Sequence, residues 1–451
     1  MKHYDYCDVL VIGGGNAGIC AALAAAAKGC DVLVLEIAPK HTRGGHSRHT
    51  RNIRCLHDPP LGPLEDSYSV QEFLDDLMRV TDGNTDQDLA KMVIEQSQYC
   101  LEWMQIHGVR FQPSLSGTLS LARTNAFFLG GGKALLNAYY RTAEMMGVRA
   151  IYDASVEHLE AADDTIEWVE YQKSEIKFRV YPKAVVVASG GFQANDDWLE
   201  DAWGKAARNF LIRGTPHNRG IVLADLKKQG ITMQGDPTQC HAVAIDGRAP
   251  KYDGGIATRL DCVPFAIVVN KDSQRFYDEG EDIWPKRYAI WGRLVAMQKD
   301  QIAYAIIDAR AKDLFMPSIF KPYRADTIGE LAQAMALDPD ALDATVQAFN
   351  MACGDNHAFH PTKKDGLCTR GLEIAKTNWA RKIMEPPFYG YILRPGVTFT
   401  YHGLAVDRHA QCYQAKRATE GGLMPFSKLQ RSGSVPRIQF PTLSAQSEFP
   451  S

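Results

Sequence analysis

A glycine motif near the start of the chain constrains the fold most. Gly13, Gly15 and Gly18 have the spacing G-x-G-x-x-G. The first glycine allows a tight turn, the second lets a backbone approach a pyrophosphate, and the third lets a helix pack closely on a sheet. The apolar run 8–13 before the motif is typical of a buried parallel strand. An alanine-rich helix is predicted to follow over 17–28.

A second strand, 31–36, ends at Glu36, about 20 residues beyond the last glycine, where an acid is expected to bond a ribose hydroxyl. The free N–H groups of Asn16 and Ala17 at the start of the helix are expected to face phosphates. Strand, glycines, helix, strand and acid in this order predict a dinucleotide site.

The kind of dinucleotide follows from the position of this unit. It stands at the start of a long chain, whereas in NAD enzymes it often lies deeper. A further apolar strand, 184–191, ends in small residues, where a backbone passes close to a flat ligand. Ala188, Ser189 and Gly190 are therefore predicted to contact the cofactor, and FAD is favoured. An NAD-dependent dehydrogenase is the weakest alternative.

Composition narrows the class of protein and its partners. The 451 residues suffice for two or three domains, and the net charge of −3 does not favour binding to nucleic acid. No apolar run reaches 18 residues, and a signal peptide is not expected, so a cytoplasmic protein is predicted. No two of the ten cysteines form a Cys-x-x-Cys pair, and they offer no iron–sulfur or haem pattern. Electrons are therefore expected to leave through a separate partner or a diffusible acceptor.

Three further segments carry a family resemblance: Gly44-Gly45-His46-Ser47, the strand end 188–191 and the run 266–288. With them, residues 5 to 410 resemble the flavoprotein family of fumarate reductase and succinate dehydrogenase. The resemblance implies an α/β fold, in which a Rossmann-like FAD-binding domain carries an inserted α+β capping domain. The implied divisions are 1–235 for the first part of the FAD-binding domain, 236–396 for the capping domain, 397–411 for the return to the FAD-binding domain, and 412–451 for an atypical, disordered tail.

The resemblance places Gly44, Gly45, His46 and Ser47 beside the flavin. Membrane-bound relatives join a histidine at the position of His46 covalently to FAD, whereas soluble relatives carry asparagine there and bind FAD without a bond. Arg48, Arg51 and Arg54 follow in the same segment, and a solvated surface and an anion site are both open for them.

Two further positions are implied to bind substrate. His241, in Gln239-Cys240-His241, stands where the family places a histidine that bonds a substrate carboxylate. Arg287 falls on the arginine that shuttles a proton in relatives. A guanidinium normally stays charged, so a simple carboxylate clamp is the alternative role for Arg287.

The sequence departs from the family at two places. The Glu and Arg of the family's proton relay are replaced by Arg259 and Cys262, so a relay would have to be rebuilt from Arg259 and Asp261. Thr398 stands at the place of a second substrate histidine, and Thr398 or His402 is expected to replace it. Both departures argue against fumarate itself as the substrate.

The resemblance implies dehydrogenation of a small polycarboxylate, tricarballylate to cis-aconitate, by hydride transfer to flavin N5. Fumarate reduction, aspartate oxidation and ketosteroid dehydrogenation remain open. The implied electron acceptor is a separate, membrane-associated protein, which would place this chain at the inner face of the membrane.

The chain loses its periodic pattern after residue 411, where relatives continue with a strand and a glycine-rich turn. This change indicates a frameshifted or truncated sequence. It predicts weak FAD retention and poor turnover, and it leaves a non-catalytic remnant as an alternative.

Overall fold

A computed structural model describes residues 4–58, 60–114, 118–162, 165–252, 258–354, 359–415 and 423–425. The strands are β1 Tyr4–Ile12, β2 Val32–Leu35, β3 Asn52–Arg54, β4 Asn125–Phe127, β5 Arg149–Ile151, β6 Ser155–Ala162, β7 Thr165–Lys173, β8 Ile176–Val187, β9 Leu211–Ile212, β10 Met233–Gln234, β11 Cys240–Asp246, β12 Ile267–Val269, β13 Ala303–Ile307, β14 Tyr323–Ala325, β15 Phe388–Thr400, β16 Gly403–Leu404, β17 Tyr413–Ala415 and β18 Leu423–Pro425. The helices are α1 Asn16–Ala26, α2 Val70–Val80, α3 Gln87–Gln96, α4 Cys100–Ile106, α5 Gly131–Met145, α6 Asp196–Trp203, α7 Ile221–Lys228, α8 Trp284–Arg287, α9 Trp291–Ala296, α10 Ile328–Ala334 and α11 Pro339–Ala352.

The first sheet has the order β5-β2-β1-β8-β7-β6. Its first four strands run parallel, and β7 and β6 continue it antiparallel. Alternate residues of β1 are buried on opposite faces: Val9 and Val11 pack with α1 and α5, whereas Leu10 and Ile12 pack with α7. Because both faces are covered, the strand reads as the continuous apolar run from which it was predicted.

The second sheet has the order β11-β15-β13-β12, and both β9 and β14 also pair with β15. Its strands are antiparallel apart from the parallel pairing of β9. One face packs against α10 and α11 and the other against α9. The predicted α/β class is confirmed, with a largely parallel sheet at the start of the chain and a separate α+β layer later.

The predicted divisions do not coincide with the strands of this second sheet. β15 crosses residue 396, and β9 joins it from before residue 236. The long β15 continues because its far end pairs with β11 up to Cys240 and Thr400. The division into domains stays a prediction.

Most of the predicted tail lies outside the described residues. The part that is described contains β17 and β18, which pair antiparallel. Within the described ranges, no helix combines the length and the apolar character needed to cross a bilayer.

Candidate active site

The glycine loop is packed between the ends of β1, α1 and β8. Gly13 has a φ of 102°, and a Cβ there would lie 2.4 Å from the carbonyl oxygen of Ala188. A Cβ on Gly18 would lie 1.8 Å from the carbonyl oxygen of Gly13, so only glycine allows α1 to approach the strand this closely. Gly15 is different, since the nearest atoms to a Cβ there would be 3.5 and 3.6 Å away. The loop is therefore close-packed at Gly13 and Gly18, whereas there is space beside Gly15.

Glu36 joins this loop to a second one. It is buried, and its carboxylate accepts hydrogen bonds from the backbone N–H groups of Gly14 (2.9 Å), Ala38 (2.8 Å) and Gly44 (3.3 Å). The predicted bond from Glu36 to a ribose therefore involves a carboxylate that is already fixed by backbone donors. That ribose contact stays a prediction.

The second loop lies directly over the start of α1. Gly44 has a φ of 105° and leads into a short 3₁₀ helix, Gly45–His49. The hydroxyl of Ser47 accepts a hydrogen bond from the N–H of Asn16 at 3.0 Å. The structure thus brings Ser47 to a helix start where free N–H groups favour negative charge.

His46 lies in this loop against the turn at Gly214. A Cβ on Gly214 would lie 2.3 to 2.5 Å from atoms of the His46 ring. Burial lowers the pKa of His46 to about 3, and the charges of His49 and Arg213 contribute. Neither ring nitrogen has a hydrogen-bond partner among the described residues. His46 is therefore a neutral imidazole whose polar atoms are free for a ligand.

Asn218 connects the same loop with the end of β8. A Cβ on Gly190 would lie 2.4 Å from its Nδ2, and a Cβ on Gly45 would lie 3.6 Å from its Oδ1. The hydroxyl of Ser189 is buried and has no partner in the described part of the chain. Predicted cofactor residues from three separate segments, 13–18, 44–47 and 188–190, thus meet at one place.

These residues fit the predicted FAD. The start of α1 offers backbone donors for a diphosphate, and Gly15 leaves space beside them. Farther along, His46 and Ser189 present buried polar atoms that lack partners within the described ranges. Buried polar groups are normally satisfied, so these atoms suit a bound group with hydrogen-bonding edges.

His241 faces an aromatic wall. It lies opposite Phe399 in the β11–β15 pairing, with ring centroids 4.9 Å apart in a stacked arrangement, and Tyr288 packs against it edge-on at 5.6 Å. Burial lowers the pKa of His241 to about 3, and Arg213 adds to this effect. A neutral His241 can donate or accept a hydrogen bond to substrate, but it brings no charge.

A hydrogen bond joins Arg213, which directly follows β9, to Thr398 in β15. Nη1 of Arg213 donates to the Thr398 hydroxyl at 3.1 Å. Burial lowers the pKa of Arg213 below its usual value. Phe399, rather than Thr398, lies opposite His241 in the strand pairing, so the neighbour of His241 on that side is apolar. The replacement of a second histidine by Thr398 or His402 stays a prediction.

A buried ion cluster surrounds Asp261. Arg259 pairs with it at 2.7 Å, Arg51 lies 3.6 Å away, and Nε1 of Trp284 donates to it at 2.6 Å. The guanidinium of Arg259 also lies over the ring of Tyr288, which contacts His241. The structure therefore brings the predicted Arg259 and Asp261 to the same region as His241.

Arg287 has different partners. Its Nε donates to Glu281 at 2.7 Å and its Nη2 donates to the Tyr277 hydroxyl at 2.8 Å, while that hydroxyl donates to Glu281 at 2.9 Å. No hydrogen bond or ion pair joins Arg287 to Arg259 or Asp261 in the described ranges. The side chains that contact Arg287 are Glu281 and Tyr277. A relay through Arg259 and Asp261 stays a prediction.

His402 contacts other residues than His241 does. Its Nδ1 bonds the Gly235 carbonyl at 2.8 Å, and its ring packs against Phe192 with centroids 6.2 Å apart. A substrate contact from His402 stays a prediction.

A family model described as "FAD binding domain" matches residues 8–424. The chain belongs to this FAD-binding family. FAD is therefore its cofactor, as predicted. The match covers most of the chain and includes both the glycine loop and the second sheet.

Two relatives and one solved structure show what this family member is similar to. NADH:fumarate oxidoreductase of Klebsiella pneumoniae is 24% identical over 422 residues, which are 89% of this chain but only 42% of that protein. The probable fumarate reductase Ifc3 of Shewanella frigidimarina is 25% identical over 448 residues, or 95% of this chain and 70% of the relative. The structure of a 3-ketosteroid-Δ4-(5α)-dehydrogenase from Rhodococcus jostii has a TM-score of 0.68 at 21% identity and covers 92% of this chain and 88% of its own. The predicted resemblance to fumarate reductase flavoproteins is confirmed at the level of the family.

Sequence reasoning missed several residues of this family member's site. Arg213, Asn218, Phe399 and Glu281 contact predicted site residues, yet none was predicted, although Glu281 lies within the run 266–288 and Phe399 directly follows Thr398. For Arg213 and Asn218 the sequence carried a weak signal, because glycines at both ends of the segment 214–220 indicate a tight loop.

Proposed function

We propose that this chain is an FAD-dependent oxidoreductase that dehydrogenates a small polycarboxylate, with tricarballylate and cis-aconitate as the substrate and product. The observation that carries this proposal is an excess of buried positive charge near His241. The relatives' printed names, which include two fumarate enzymes, support a carboxylate substrate.

Three buried arginines show this excess of positive charge. Arg51 and Arg259 share the single carboxylate of Asp261, and all three are buried. Arg293, also buried, donates to the backbone carbonyl of Val80 at 2.9 Å, and its charge lowers the pKa of His241. Buried charges are costly unless they are matched by opposite charge. A substrate with three carboxylates would supply that match.

Each part of the site then has a role. The glycine loop, the start of α1 and the loop 44–47 would hold FAD, which supplies a hydride acceptor when bound. Buried arginines would bind and orient the carboxylates through paired donors. The aromatic residues around His241 would exclude water, and His241 would form a neutral hydrogen bond to substrate.

Arg287 would handle the proton. Its Nη1 is buried and has no hydrogen-bond partner among the described residues. Glu281, hydrogen-bonded to Nε, would take a proton from the guanidinium. The neutral Arg287 would then remove the proton from the substrate carbon next to the one that loses hydride. Tyr277 would keep both side chains in place.

Fumarate is the second candidate substrate, on the strength of the relatives' names. The replacement of the family's relay residues by Arg259 and Cys262 argues against it. For either substrate we propose that a separate electron-transfer protein, associated with the membrane, takes electrons from the reduced cofactor.

An anaerobic absorption experiment tests the proposal. The protein is saturated with FAD and mixed with tricarballylate, and the visible flavin band is recorded. We expect the band to bleach and cis-aconitate to form in equal amount. The proposal fails if tricarballylate leaves the band unchanged while dithionite reduces it fully. Chemically reduced protein mixed with fumarate tests the second candidate, because reoxidation with succinate formation would support fumarate instead.

A further inference from the structure

The middle residue of the glycine loop is held from two sides by side chains. The hydroxyl of Tyr140 donates to the carbonyl of Gly14 at 3.0 Å, and the N–H of Gly14 donates to Glu36 at 2.9 Å. A Cβ on Gly14 would lie 2.0 Å from the Tyr140 hydroxyl and 2.6 Å from Oε2 of Glu36. Gly14 therefore fills the space between a tyrosine of α5 and the acid at the end of β2.

Arg43 covers the other side of this tyrosine. Its guanidinium carbon lies 4.1 Å from the centre of the Tyr140 ring. Its Nη1 contacts the Tyr152 hydroxyl at 3.4 Å, and its Nη2 donates to Asn137 at 3.2 Å. Arg43 also directly precedes Gly44, whose N–H bonds the same Glu36 oxygen as Gly14.

We propose that Tyr140 and Arg43 are positioning residues that hold the glycine loop in its binding conformation and thereby set the affinity for the ADP half of FAD. The carbonyl of Gly14 is anchored by Tyr140, so the N–H of Gly15, which belongs to the same peptide group, keeps its direction. The guanidinium over the ring fixes Tyr140 in turn. This inference concerns the cofactor and does not depend on the substrate proposed above.

An effect on affinity is expected because the hydrogen bond from the Tyr140 hydroxyl to the Gly14 carbonyl would be lost. Without the hydroxyl, the Gly14 carbonyl becomes a buried acceptor with no donor, or the loop shifts to find one. Either outcome removes part of the preorganisation that favours binding. The loss falls on ADP contacts, because the loop lies at the start of α1, where phosphate is expected.

The test compares two neighbouring tyrosines of α5. Apoprotein is titrated with FAD, ADP and FMN, and the dissociation constants are measured by calorimetry. We expect Tyr140→Phe to raise the dissociation constants of FAD and ADP about tenfold and that of FMN by less than about twofold. Tyr139→Phe is the matched control, because Tyr139 is also buried but lies beside Cys20. It is expected to leave all three constants unchanged.

A merely structural role for the tyrosine has a different signature. It would weaken the binding of ADP and FMN alike. For a positioning role, Arg43→Met should weaken ADP binding in the wild-type background but add little in the Tyr140→Phe background. The inference is overturned if Tyr140→Phe binds ADP as wild type does. It is also overturned if the two tyrosine variants lose affinity equally, or if FMN is weakened as much as ADP.

Discussion

Arg287 depends on its surroundings for any role in proton transfer, because a guanidinium ordinarily stays charged. Here it is buried and lies between Glu281 and the Tyr277 hydroxyl. The carboxylate of Glu281 on Nε provides a place for the guanidinium proton. The pair is suited to moving a proton only while substrate excludes water.

Replacing Glu281 with glutamine tests this role. Glu281→Gln keeps the size of the side chain but removes the proton acceptor. We expect the rate of flavin reduction by tricarballylate to fall about 100-fold, while the FAD dissociation constant stays unchanged. Stopped-flow absorbance measures the rate. Glu373→Gln, an exposed control, should match wild type, and a wild-type rate in Glu281→Gln would contradict the role.

His241 gives a prediction on acid stability. Burial lowers its pKa from 6.5 to about 3 in the folded protein, so the unfolded chain binds a proton there that the folded chain does not. The contribution to stability is present above pH 6.5 and is lost as the pH falls from 6.5 toward 3. The thermal midpoint of His241→Gln should therefore fall less than that of wild type between pH 7 and pH 5. The difference should correspond to the uptake of about one proton on unfolding. Parallel curves would show that His241 is protonated when folded.

At the scale of elements, His158 links β6 to α7, and its pKa is raised rather than lowered as in His241. Nδ1 of His158 lies 2.9 Å from Asp225 on α7, and its Nε2 lies 3.1 Å from Glu160. The hydrogen bond to Asp225 is the main cause that raises the pKa of His158. This helix follows the loop 213–220, so its docking supports the site.

The sign of this effect is opposite to that of His241. Because the folded pKa is raised, the stabilisation is fully present below pH 6.5 and is lost as the pH rises through the folded pKa. We expect His158→Gln to lower the thermal midpoint at pH 6 and to have little effect at pH 8.5. His409→Gln serves as an exposed control. An equal loss at both pH values would mean that packing, rather than charge, carries the effect.

Elements close in sequence were predictable, and contacts between distant ones were not. Gly13, Gly18 and Glu36 lie within one βαβ unit, whose local pattern decides its shape. Arg213 and Thr398 are 185 residues apart, and Tyr140 and Gly14 are 126 apart. Such pairs meet only through strand pairing and helix packing, which periodicity does not specify.

The predicted relay shows the same limit. Arg259 and Asp261 were predicted to rebuild the family's relay because they stand just before the strand of the run 266–288. The carboxylate that is hydrogen-bonded to Arg287 is Glu281, six residues before it, in a loop. The position of Phe399 opposite His241 likewise became visible only from the register of β11 and β15.

At the scale of the whole molecule, an FAD site on the first sheet adjoins a group of buried arginines beside the second sheet. A hydrogen bond at the site joins Arg213, directly after β9, to Thr398 in β15. Under the proposed function, the carboxylates of the substrate match the buried positive charge around Asp261 and Arg293.

Calorimetric titration of the FAD-saturated protein with tricarballylate and with glutarate, which lacks only the central carboxylate, tests this charge matching most directly. We predict that tricarballylate binds at least about tenfold more tightly than glutarate, since each well-placed charge-assisted contact is worth roughly that factor. Equal affinity for the two acids, or no binding of either, would contradict the account.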